Sequence, residues 1–234
     1  MTLPRLNFRQ LYDQFDAPVT PLDCGKRCAP HNPSGKPFCC DICQAVPAVY
    51  QSEWEYLRPA TDLWHVWQGT ECQDNPEDPA AWQSETPQGM LLLACLGPDR
   101  CQRSFRALSC RQFPFFPYIS EDFRFLGLVY EWEFEPFCWV ISRLDQVTPA
   151  YRQEFVQAHM HLFETWPGEF NSYLLRSEEL REHYHSLKRR FPLLHRNGGF
   201  YLVSPGSGRL QRIPPERLPR FRPYRQPDEP VMAP

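Results

Sequence analysis

Long apolar runs are missing from this chain. No stretch of about 18 or more apolar residues occurs, so no transmembrane helix is expected. The opening MTLPRLNFRQLYDQF has no basic segment leading into an apolar one, so it does not read as a secretory signal. Charge of one sign is scarce as well. A formal net charge of −3 over 234 residues gives no bulk attraction to nucleic acid or to a membrane surface. The common catalytic motifs are also absent: there is no G-x-G-x-x-G, no Walker loop, no H-E-x-x-H and no G-x-S-x-G. These absences leave any reaction unassigned and point to a cytoplasmic setting. In a reducing cytosol, cysteines serve as ligands or reactive thiols rather than as disulfides.

Cysteine and proline are what the chain has in quantity, with 10 and 26 residues respectively. Five of the cysteines crowd into CGKRCAPHNPSGKPFCCDIC, at Cys24, Cys28, Cys39, Cys40 and Cys43. Gly and Pro at this density fix turns and exclude regular structure. A loop this polar needs something other than burial to fold it, and metal binding to thiolates supplies folding free energy directly. Cys40-Asp41-Ile42-Cys43 is a C-x2-C knuckle and Cys24-Gly-Lys-Arg-Cys28 a C-x3-C pair, both spacings that let two sulfurs address one ion. His31 lies inside the loop as an optional extra ligand, imidazole also suiting zinc or iron. An even cysteine count keeps disulfide pairing open as the lesser reading.

Phe8 to Phe15 has Phe8, Leu11, Tyr12 and Phe15 at helical spacing, and Ala45 to Leu57 reads as a second helix. Residues 68–89 are polar and broken by Pro and Gly, an exposed excursion in which Cys72 stands alone as a spare thiol. Met90 to Leu96 has the length of a strand. Leu128, Tyr130, Trp132 and Phe134 alternate with Val129, Glu131, Glu133 and Glu135, as in a half-buried strand. The three glutamates then form its solvent face rather than a catalytic pair. Phe113 to Ile119 is the expected partner, an edge or irregular strand because of its two prolines. Thr148-Pro149 caps a helix to about Glu164, and a second helix runs from about Glu169 to Arg190. Phe200 to Val203 belongs to a small hairpin, and from Ile213 the Pro- and Arg-rich sequence reads as a disordered or surface-draped tail.

A second cysteine group follows the apolar run. Cys95 and Cys101 flank a Gly97-Pro98 turn, Cys110 opens Cys-Arg-Gln-Phe-Pro, and Cys138 follows the long strand. Together these residues resemble the bacterial YkgJ-like cysteine-cluster family, described as a zinc- or iron-chelating domain. That family has a cysteine group ending in an adjacent pair (here Cys24, Cys28, Cys39, Cys40), then a short Cys…Cys turn (Cys95, Cys101). A Cys-Arg-x-Phe-Pro element comes next (Cys110-Arg111-Gln112-Phe113-Pro114), often with a later cysteine, matched here by Cys138. Arg106-Ala107 departs from the family's Arg-Pro before the Cys-Arg. The resemblance covers residues 20–145.

The expected fold is α+β: a loop-rich, metal-stapled domain over 1–145 with a small antiparallel sheet. C-terminal helices with a short hairpin occupy 146–212, and the tail 213–234 completes the chain. The expected function is metal binding, zinc or iron, through Cys24, Cys28, Cys39, Cys40, Cys43, Cys95, Cys101, Cys110 and Cys138, in a structural or metal-handling role. Thiolates around a metal carry excess negative charge. Arg27 and Arg111, and secondarily Arg106 or Arg143, are placed to offset it. Two other classes stay open. One is an iron–sulfur protein engaged in redox or electron transfer, and the other a module in which zinc supports the fold while the tail or an aromatic surface binds a protein partner.

Overall fold

The computed structural model describes residues 5–72, 79–87 and 89–225. The chain divides into two units. One comprises Arg5–Asp16 with Gly25–Phe113, and the other is built on Ala17–Cys24 with the chain from Pro114 onward. The division therefore falls after Phe113, whereas sequence reading put it near residue 145.

In the first unit, α1 (Phe8–Gln14) starts where the Asn7 side chain accepts a hydrogen bond from the amide of Gln10. It buries Phe8, Leu11 and Tyr12, three of the four residues whose spacing predicts it. The short α2 (Gly25–Cys28) sits at the start of the cysteine loop. Ala45 to Leu57 splits in two: Ala48–Tyr50 is strand β1, and the helix α3 runs from Gln51 to Ala60. Glu53, at the third position of α3, accepts from the Tyr50 amide and so closes the helix start. Strand β2 (Trp64–Val66), helix α4 (Pro79–Glu85) and strand β3 (Met90–Cys95) follow. β3 is the central strand, antiparallel to β1 on one side and β2 on the other. Val49, Leu57 and Leu93 are fully enclosed. The unit closes with α5 (Leu108–Gln112).

The second unit is organised by a five-stranded antiparallel sheet in the order β4-β5-β6-β7-β8. β4 (Phe115–Ile119) and β5 (Phe125–Tyr130) form the expected pair. The expected strand to Glu135 ends at Tyr130, and Trp132–Phe134 form a 3-10 turn instead. All six β5 residues are buried, so there is no solvent face. Glu131 and Glu133 turn to Arg176, at 2.6 and 3.0 Å. Helices α6 (Pro149–Thr165) and α7 (Pro167–Ser186) then lead into β6 (Phe191–His195), β7 (Phe200–Val203) and β8 (Leu210–Ile213).

Helix α7 lays Leu180 and Tyr184 on Phe116, Tyr118, Phe191 and Val203 of the sheet. It also finishes the free edge of β4. Ser177 Oγ accepts from the Ile119 amide at 3.0 Å, and Arg181 donates to the Ile119 carbonyl at 3.0 Å. β5 joins β6 directly, so the β4–β5 hairpin belongs with the helices and C-terminal strands. That pairing moves the division of the chain to residue 113. Gly127 sits at a close approach in this pairing: φ is +149°, and a Cβ there would lie 2.2 Å from the Leu194 carbonyl oxygen.

The Pro- and Arg-rich stretch is fastened as far as residue 225. Leu218 is buried, Ser142 exchanges hydrogen bonds with the Phe221 backbone (2.7 and 3.0 Å), and Arg220 pairs with Asp145 at 2.9 Å. Of the two expectations for this segment, draping over the surface describes residues 213–225, while 226–234 lie outside the described residues. No described helix is long and apolar enough to cross a membrane.

Candidate metal centre

The first unit gathers four reduced thiols. β3 delivers Cys95 at its end. Gly97, at φ +91°, then reverses the chain into a 3-10 turn, Pro98–Arg100, that presents Cys101. A second such turn, Arg103–Phe105, leads to α5 and Cys110. Cys40 comes from the 3-10 turn Phe38–Cys40, with the Cys39 sulfur 3.9 Å from its own.

Electrostatics tie the four together. Burial pushes the Cys110 thiol far up, and the sulfurs of Cys40, Cys95 and Cys101 add to the rise while Arg106 opposes it. Burial also raises Cys95, again with contributions from Cys40 and Cys101. Arg106 donates from Nε to the Cys101 sulfur at 3.2 Å. Burial disfavours its charge, but Cys101, Cys40 and Cys110 outweigh that and hold the guanidinium cationic. The four thiols are neighbours rather than a closed shell. Among the described residues, no three His, Cys, Asp or Glu side chains form a group that could hold a metal ion.

The framework under these thiols rests on two buried ionisable residues, Arg111 and Glu53. Arg111, only 7% exposed, donates to five backbone carbonyls: Arg106, Tyr12, Phe15, Arg103 and Ser104. It also reaches Asp16 Oδ1 at 3.2 Å. Arg111 was expected to offset thiolate charge, yet it clamps the loop that carries Cys101 and Arg106, and Arg106 makes the sulfur contact. Glu53 is wholly buried and accepts from the Leu108 amide, at the start of the helix bearing Cys110, and from the Tyr12 hydroxyl. Nothing in its local sequence sets Glu53 apart from an ordinary helix-start glutamate.

The cysteine loop has its own anchor in Asp41. Its carboxylate accepts from Ser34 Oγ (2.6 Å), Asn32 Nδ2 (2.9 Å) and the Cys43 amide (3.2 Å). Burial would raise its pKa, but these donors prevail and hold it below the usual carboxylate value.

The remaining candidates are placed differently. Cys43 is joined to Cys72 in a disulfide, so one expected ligand and the expected spare thiol form a pair instead. The polar excursion that isolates Cys72 in sequence gives no hint of a partner 29 residues back. In this bonded form Cys43 has no thiolate to offer, and the expectation of thiols without disulfides fails at this pair. Cys28 is buried and donates to the Gly25 carbonyl. Cys24 and Cys138 belong to the second unit, where Cys24 adds to the upward push on the buried Tyr151 phenol and the Cys138 amide donates to Phe134. His31 is exposed.

No family model matches the chain, and no curated protein or solved structure matches it either.

Proposed function

We propose that this chain is a metal-binding protein that chelates zinc or iron through Cys40, Cys95, Cys101 and Cys110. The observation that carries the reading is the Arg106 guanidinium hydrogen-bonded to the Cys101 sulfur, in the same unit as Cys95 and Cys110, whose thiols feel the charge of Cys40 and Cys101. Four thiolates are the donor set of a closed zinc site, and the same set suits iron or an iron–sulfur cluster. Burial raises the Cys95 and Cys110 thiols, so binding them as thiolates releases protons to the solvent. Arg106 offsets part of the excess negative charge of the thiolates. Cys39, its sulfur 3.9 Å from that of Cys40, is a further sulfur beside this set.

The motif-level likeness to the YkgJ-like family belongs to the same proposal, as does a reducing, cytoplasmic setting in which eight cysteines stay reduced. The test is metal analysis with a visible spectrum on the full chain purified without oxygen. Zinc without colour supports a structural or zinc-handling role. Iron with acid-labile sulfide and broad visible absorption turns the reading to redox chemistry. Protein that neither retains nor takes up either metal overturns it.

A further inference from the structure

The disulfide lies within the knuckle that supplies one of the four thiols. Cys40 and Cys43 are the two sulfurs of a single C-x2-C turn. Cys40 is coupled to Cys95 and Cys110, while Cys43 is bonded to Cys72. Asp41 holds the turn between them. Its side chain takes the Cys43 amide, and its carbonyl takes the amides of Gln44 and Ala45 at 2.8 and 3.0 Å. These bonds are made by the Asp41 side chain and backbone, not by either sulfur. The backbone shape that a two-sulfur chelate needs is thus already set, and the second sulfur is withheld by a bond to a distant residue.

We infer that the Cys43–Cys72 disulfide is a redox-controlled strap on the thiol site, an inference that rests on the metal-binding reading above. Accessibility fixes the point of attack, because Cys43 is exposed whereas Cys72 is 8% exposed. The thiolate of a dithiol reductant bonds to the Cys43 sulfur and displaces Cys72 as a thiolate. The second thiol of the reductant then attacks the mixed disulfide, releasing Cys43 and closing the reductant into its own disulfide. Two electrons pass from the dithiol to the protein pair, and its two protons go to Cys43 and Cys72 or to the solvent. Opening restores Cys43 as the partner of Cys40 on a turn that Asp41 keeps in place. In the closed state four thiols remain, and in the open state Cys43 makes a fifth, from which a four-coordinate ion takes the four that fit it best.

The experiment uses the full chain in two states, as purified in air and after treatment with dithiothreitol followed by its anaerobic removal. Differential alkylation with peptide mass spectrometry reads the pair, and competition with a chromophoric chelator reads zinc affinity. The expected result is a cross-linked peptide pair containing Cys43 and Cys72 in the first state only. Zinc affinity is then at least about tenfold higher in the second state, the scale on which even outer-shell partners of a metal act. The Cys43→Ser/Cys72→Ser double variant, checked for folding by circular dichroism, has one affinity in both states. Separate alkylation of Cys43 and Cys72 in the air-purified chain overturns the strap. Equal zinc affinity in both states also overturns it and leaves the four-thiol site standing. Zinc bound in neither state overturns the strap and the metal-binding reading together.

Discussion

Arg106 and Cys101 are five residues apart and joined by an Nε–H···Sγ hydrogen bond of 3.2 Å. This bond brings a positive charge to the Cys101 sulfur, and on the metal-binding proposal Arg106 is the residue that offsets thiolate charge. Substitution Arg106→Gln keeps a donor but removes the charge. Zinc affinity of the full chain, measured against a competing chelator, is expected to fall about 10- to 100-fold. Arg106→Lys restores part of that loss. Far-UV circular dichroism stays at wild type for both, separating the effect from misfolding.

Arg111 has a different task, and its substitution has a different outcome. Arg111→Lys retains the charge but cannot serve five carbonyls from one fork. Leaving most of those buried carbonyls without a donor is expected to cost about 3–5 kcal/mol in urea unfolding. A substitution at Arg27, exposed in the same unit, is expected to change stability by less than about 0.5 kcal/mol.

His159 gives the second unit a pH dependence. Its ring is buried, donates from Nδ1 to the Phe155 carbonyl at 2.8 Å and stacks on Phe155. Burial lowers its pKa from 6.5 to about 4. Above pH 6.5 the ring is neutral in both folded and unfolded chains, and stability does not depend on it. As pH falls from 6.5 towards 4, the unfolded chain takes up a proton that the folded chain refuses, so stability drops, by about 3 kcal/mol at the full shift. Denaturant unfolding across this range reads the slope, and His159→Phe is expected to flatten it.

Gly127→Ala tests the sheet. The added methyl would meet the Leu194 carbonyl oxygen at 2.2 Å, at a φ of +149° that side chains rarely adopt. Thermal unfolding is expected to show a loss of about 2–4 kcal/mol. The same substitution at Gly168 meets nothing within 4 Å and serves as the control.

Where periodicity or a local stop signal decided an element, the sequence was readable. Phe8, Leu11 and Tyr12 marked α1, Thr148-Pro149 marked the start of α6, and Pro114 and Pro117 marked β4 as an edge or irregular strand. The alternation from Leu128 to Glu135 misled because β5 is buried along its whole length. The period seen there mixed a buried strand with a 3-10 turn whose glutamates answer to Arg176 on α7. That Cys95, Cys101 and Cys110 share a neighbourhood follows from their closeness along the chain, with the Gly97 turn and the short α5 between them. Which of nine sulfurs share one neighbourhood depends on non-local packing. Neither the Cys43–Cys72 bond nor the Glu53 contact with the Leu108 amide leaves a local signature. Arg111 was read as an offset to thiolate charge, whereas the direction of its fork is set by the chain around Tyr12 and Phe15, about 95 residues earlier.

The deciding measurement is the metal content of single-cysteine variants of the full chain, expressed and purified without oxygen. Wild type is expected to carry about one zinc or iron centre, since four thiolates close one four-coordinate site. Cys110→Ser is expected to lose most of that metal, and Cys138→Ser to keep it. A Cys110→Ser protein that retains its metal while Cys138→Ser loses it would contradict the assignment of the site to Cys40, Cys95, Cys101 and Cys110.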